Sequence, residues 1–70
     1  MRWSGFKVEI DTQKREIYLY AEDDPEPLIL GEEDFLSGNF EDFISNPNKY
    51  ELYSYTPRGG VTKYYVRRKQ

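Results

Sequence analysis

Whatever chemistry this 70-residue chain performs rests on thirteen carboxylates, ten basic side chains and seven tyrosines, because it contains neither histidine nor cysteine. That composition removes the commonest general base, the softest nucleophile and every zinc–thiolate site. Ser4, Ser37, Ser45 and Ser54 have no base at a spacing that would activate them. Paired carboxylates do acid–base work only where a pocket drives their pKa values apart. A chain this short has little core from which to build such a pocket. The expectation is a protein that is not an enzyme and carries no cofactor.

The charges are unevenly placed. Residues 1–21 hold four basic and three acidic side chains, residues 22–48 nine acidic and none basic, and residues 49–70 six basic and one acidic. The formal net charge of −3 conceals this layout. Unpaired carboxylates are almost never buried, so the central run is a surface property. Asp23, Asp24, Glu26, Glu32, Glu33 and Asp34 are oxygen ligands of the kind hard cations take. An EF-hand, however, needs a fixed spacing, a central glycine and a terminal bidentate Glu. The run has neither feature and two prolines interrupt it, so a solvated acidic loop is expected and no metal site.

Held on a helix and its approach loop, such carboxylates steer toward basic clefts and repel acidic partners. The leading expectation is a non-enzymatic binding protein whose acidic surface docks on a basic, nucleic-acid-binding protein and inhibits or modulates it. It would do so as a nucleic-acid mimic, like small viral or mobile-element inhibitors in gross composition. Asp23, Asp24, Glu26, Glu32, Glu33, Asp34, Glu41 and Asp42 supply the charge in this reading. Tyr53, Arg58, Lys63, Tyr65, Arg67 and Arg68 form a secondary contact.

Two alternatives compete with it. Tyrosines interleaved with basic residues in the C-terminal segment stack on bases and track phosphates in nucleic-acid-binding modules. Against direct nucleic-acid binding stand an isoelectric point near 4.9 and the phosphate-repelling central run. The other alternative is a structural dimerisation module, in which basic strands meet the acidic helix of a second copy. Monomer and homodimer both stay open.

Cysteine-free small domains are more at home in a reducing compartment, so a cytoplasmic location is expected. No apolar run approaches the ~20 residues of a membrane span, and the N-terminus lacks the apolar stretch of a signal peptide.

The elements that position these groups read as an α+β domain over residues 1–70, in ββαββ order. Phe6, Val8 and Ile10 alternate with polar residues, as do Ile17, Leu19 and Ala21, which predicts a hairpin over 6–21 with a turn at Gln13-Lys14. Ile10 then faces Ile17, Val8 faces Leu19 and Phe6 faces Ala21, with every aliphatic on one face. Pro25 and Pro27 end the second strand, and Leu28-Ile29-Leu30 is either a short edge strand or a core plug. The acidic linker and helix occupy residues 22–46, with Leu36, Phe40, Phe43 and Ile44 on one apolar face. Gly38-Asn39 interrupts that helix, so two short helices are an alternative, Asn39 capping the second. A second hairpin over 49–68 turns at Pro57-Arg58-Gly59-Gly60, pairing Tyr53 and Tyr55 on one face with Thr62, Tyr64 and Val66. The simplest assembly is one four-stranded antiparallel sheet, built from the two hairpins, with the helical segment on one face.

Overall fold

Strict alternation makes the first hairpin, and its register is the expected one. In the computed structural model, which describes residues 2–69, β2 (Phe6–Asp11) pairs antiparallel with β3 (Glu16–Tyr20). Ile10 faces Ile17 and Val8 faces Leu19. Met1 and Gln70, the ends of the expected 1–70 domain, lie outside the described residues. The connection is longer than expected, running from Thr12 to Arg15. Asp11 Oδ1 accepts from the amides of Gln13 and Lys14, both at 2.9 Å, and Arg15 takes φ 55°. A two-residue and a four-residue loop share one register, so the faces are unaffected. Val8, Ile17 and Leu19 are buried on the inner face, where full burial of each aliphatic side chain contributes about 1.5–3 kcal/mol.

The β2–β3 ladder ends at Lys7 and Tyr20, one residue short of the expected Phe6–Ala21 pair. On its other edge β2 pairs antiparallel with a further strand, β1 (Arg2–Trp3), in which Trp3 faces Phe6. Ser4 (φ 52°) and Gly5 (φ 83°) make the turn between them, the two successive positive φ values that a tight two-residue hairpin favours. On the other edge, Leu28–Leu30 is a true strand, β4, with Leu30 buried and Ile29 exposed. The sheet order is β1-β2-β3-β4, antiparallel throughout.

These two short strands explain why the second hairpin forms a sheet of its own. Both edges of the first hairpin are already taken, and β5 (Tyr50–Tyr55) and β6 (Lys63–Arg68) pair with each other as a separate two-stranded sheet. The fold is α+β, with a four-stranded antiparallel sheet, a two-stranded sheet and one α-helix.

The expected register of the second hairpin is corrected by one residue. Leu52 faces Val66, Tyr53 faces Tyr65 and Tyr55 faces Lys63. A one-residue shift exchanges the two faces of a strand. The physical cause is the odd-length loop from Thr56 to Thr62, closed by a hydrogen bond between the Thr56 and Thr62 hydroxyls at 2.6 Å and by Gly60 N–H donating to the Pro57 carbonyl at 2.9 Å. The observed register gathers Tyr50, Leu52, Tyr64 and Val66 on the inner face, with Ser54 and Arg68 at its two ends.

The expected helix over Glu32 to Ser45 is much shorter. Glu32–Asp34 is a single 3-10 turn, and α1 spans only Phe40–Ser45. Asn39 caps α1, its side chain accepting from the Asp42 amide at 2.8 Å. Phe40 and Phe43 are buried as expected, but Leu36 and Ile44 are exposed. Leu36 lies outside any helix, because residues 35–37 leave the 3-10 turn to lie beside β6. Phe35 bridges Val66, Leu36 N–H donates to the Val66 carbonyl at 2.8 Å, and the Ser37 hydroxyl accepts from the Arg68 amide at 2.8 Å.

The core lies between the four-stranded sheet, α1 and the base of the second hairpin. Phe43 sits at its centre, edge-to-face with Trp3 (5.1 Å between ring centroids), Tyr50 (5.6 Å) and Phe35 (6.0 Å). Trp3 Nε1 donates to the Tyr50 carbonyl at 3.1 Å, tying β1 to the second hairpin. Aromatic area thus takes the place that disulfides fill in other small domains.

Candidate acidic docking surface

The nine-carboxylate run does not form one patch. β4 divides it, because an antiparallel strand carries the chain from one end of the sheet to the other, about 10 Å for three residues. Glu22, Asp23, Asp24 and Glu26 lie in the β3–β4 loop at one end and are all exposed. Glu32, Glu33 and Asp34 follow β4 at the opposite end, beside the β2–β3 turn.

The loop at the first end is held by local chemistry. Pro25 and Pro27 restrict φ, and the Asp24 carboxylate accepts from the Glu26 amide at 2.9 Å while the Asp24 amide donates to the Ala21 carbonyl at 3.4 Å. Among the described residues, no ion pair engages Glu22, Asp23, Asp24 or Glu26.

At the other end the charge is largely spent inside the molecule. Arg15 forms ion pairs with both Glu32 and Glu41, and its guanidinium lies 4.9 Å from the centroid of the Phe40 ring. The hydrogen bond from Arg15 holds the Glu41 carboxyl below its ordinary range. Asp34 accepts from the Gly31 amide at 2.9 Å and closes the 3-10 turn. Glu33 is exposed and has no ion-pair partner among the described residues.

Asp42 faces the core rim. It accepts from the Tyr50 hydroxyl at 2.7 Å, from Asn46 Nδ2 at 3.1 Å and from Arg68 Nη1 at 2.9 Å. The Tyr50 hydrogen bond is the main reason its carboxyl lies below the ordinary value, with Asn46 and Arg68 adding to it. Burial, reinforced by the bond to Asp42, pushes the Tyr50 hydroxyl up. The depressed carboxyl contributes stability above its unfolded pKa and loses it as pH falls through the folded one. The raised phenol contributes stability below its unfolded pKa and loses it as pH rises through the folded one. The melting temperature should therefore hold level between about pH 4 and 10 and fall on both sides. Asp42→Asn should flatten the acid limb in a thermal-unfolding series, and an unchanged acid limb would show that Asp42 does not carry it.

Of the C-terminal candidates, Tyr53, Lys63, Tyr65 and Arg67 share one outward face of the second hairpin. Tyr53 and Tyr65 are cross-strand partners, as are Tyr55 and Lys63 and, nearer the core, Glu51 and Arg67. Arg67 Nε donates to Glu51 Oε1 at 2.9 Å and its guanidinium lies 5.2 Å from the Tyr53 ring centroid. Arg68 belongs to the opposite face, where it meets Asp42. Arg58 sits at the exposed tip, where Gly59 takes φ 75°. Arg58 and Lys63 are thus the site cations of this hairpin that take part in no ion pair among the described residues.

Of the eight acidic candidates, the fold brings together Asp23, Asp24 and Glu26, to which Glu22 is added. It gathers Glu32 and Glu41 around Arg15, and uses Asp34 and Asp42 to close local structure. Arg15 had no role in the sequence reading, and its distance of 26 residues from Glu41 left no signal for one. Among the described residues no three carboxylates converge closely enough to hold a metal ion, and no helix is long and apolar enough to cross a membrane. No family model, curated protein or solved structure matches the chain.

Proposed function

We propose that this is a non-enzymatic binding protein that docks on a basic, nucleic-acid-binding protein through its acidic surface and modulates it by occupying the place of the nucleic acid. The observation that supports the reading is the β3–β4 loop, with four exposed carboxylates outside every ion pair of the described residues. Fixed charge of one sign speeds encounter with the opposite sign and discriminates against like-charged partners. The alternative, nucleic acid on the second hairpin, draws support from the outward Tyr53, Tyr55 and Tyr65 beside Lys63. It is weakened because Arg67 and Arg68 are already paired with Glu51 and Asp42.

Among the described residues no hydrogen bond is donated to the carboxylates of Glu22, Asp23 or Glu26, so Glu22→Lys with Asp23→Lys and Glu26→Lys reverses the loop while sparing the fold. In a pull-down from the native host, the unaltered protein should retain its partner after nuclease treatment and the triple variant should lose it. Retention by the variant would sink the acidic reading. A partner released by nuclease would transfer the function to the second hairpin.

A further inference from the structure

The four-stranded sheet has one covered face and one open face. Every buried residue of the sheet (Trp3, Val8, Ile17, Leu19 and Leu30) lies on the inner side. The register places Tyr20 beside Lys7 on the outer side, and in the next row Glu9, Tyr18 and Ile29 lie across three adjacent strands. Directly opposed side chains are about 4.5–5.5 Å apart at Cβ, so Tyr18 and Ile29 form one continuous apolar surface, extended along β3 by Tyr20. Ile29 is 53% exposed, although it stands in a strand and could have been buried by any covering element.

The rim of this surface is mostly of one sign. Asp11 and Glu16 form the row beyond Tyr18, and the Tyr18 hydroxyl donates to Glu16 Oε1 at 2.8 Å, which fixes that carboxylate in place. That bond raises the Tyr18 hydroxyl to about 12, so the phenol stays neutral at physiological pH. Tyr20 leads through Ala21 directly into the acidic β3–β4 loop. Glu9, Asp11 and Glu16 with the four loop carboxylates outnumber Arg2 and Lys7, which share the Tyr20 row, and Lys14 in the turn beyond Asp11.

We infer that this open face, with Tyr18, Tyr20 and Ile29 at its centre, is where a basic protein segment bearing apolar side chains docks. The inference rests on the acidic-docking reading and gives it a location and an anchor. An apolar, aromatic centre within a polar rim is the anatomy of protein interfaces, where the centre carries most of the energy. The rim selects the occupant. A second copy would bring the same excess of carboxylates face to face, and phosphates would be repelled as well.

The test uses two short synthetic peptides of equal length, one an amphipathic mixture of lysine and leucine and one of lysine alone, titrated into the intact protein at ~150 mM salt. Amide shifts in the NMR spectrum locate binding and calorimetry measures it. The amphipathic peptide should bind at least ~10-fold more tightly, with shifts at Lys7, Glu9, Tyr18, Tyr20 and Ile29. Ile29→Ser should abolish that preference while leaving lysine-peptide affinity unchanged. Ile29→Lys is the control on the same exposed site and should weaken both peptides. Equal affinities with shifts confined to residues 22–26 would overturn the inference and leave the acidic reading standing. Failure of both peptides to bind would overturn both. A concentration-dependent dimer in sedimentation that Ile29→Lys dissociates would assign the face to a second copy and overturn the inference.

Discussion

Phe43→Ala is expected to cost about 3–5 kcal/mol, against a total stability of about 4–10 kcal/mol for a chain of this length. Phe43 is fully buried and meets three aromatic rings edge-to-face, so truncation removes both burial and those ring–ring contacts. The surrounding rings come from β1, from the segment before α1 and from β5. They cannot all close on the vacated space without moving the elements that carry them. Urea denaturation followed by tryptophan fluorescence should show the midpoint fall by at least about 1 M. Trp3 reports directly, because its ring is 5.1 Å from the deleted one. A loss below about 1.5 kcal/mol would mean that the site collapses freely and that Phe43 is not the centre of the core.

Gly38→Ala should be nearly as damaging, at about 3 kcal/mol, from backbone strain together with displacement of a packed ring. Gly38 takes φ 76°, and a Cβ there would overlap the Tyr50 hydroxyl and lie 2.5 Å from Tyr50 Cε2 and Cζ. Tyr50 is 1% exposed and cannot swing aside without giving up its bond to Asp42 and its place in the core. Combining Gly38→Ala with Tyr50→Phe, which deletes the hydroxyl the Cβ would strike, should cost less than the sum of the two single changes. Strict additivity in denaturant melts would show that the strain is backbone alone. A helix-propensity view makes Gly38 a weak point to be improved. The tertiary contact reverses that judgement.

Much of this fold is legible in short windows of sequence. The period-two alternation of Phe6 to Tyr20 carries both the hairpin and its register, because a slip of β3 by one residue against β2 would put Tyr18 and Tyr20 on the core face in place of Ile17 and Leu19. Ser4-Gly5 between Trp3 and Phe6 is a turn signal of the same kind, and it marks β1 for a reader who extends the strand pattern to the N-terminus. Asn39 followed by Glu41 and Asp42 marks the start of α1. The second hairpin was harder because loop length sets register, and only an odd loop places Leu52 against Val66. Its separate sheet was not legible either, since that depended on β1 and β4 first occupying both edges of the other sheet.

The candidate site divides along the same line. The sequence by itself determined that nine carboxylates would reach the surface without a basic residue among them, and that Pro25 and Pro27 would hold part of them in a loop. It also determined that Tyr18 and Tyr20 would stand on the face away from Val8 and Leu19. Only the tertiary structure decided which carboxylates keep their charge available. Arg15 reaches Glu32 and Glu41, and Arg68 reaches Asp42, across 26 positions in the longer pairings. β4 carries the remaining acidic loop to the opposite end of the sheet. The physical reason is that alternation, turns and caps act between residues a few positions apart, whereas a Coulomb interaction depends on distance in space.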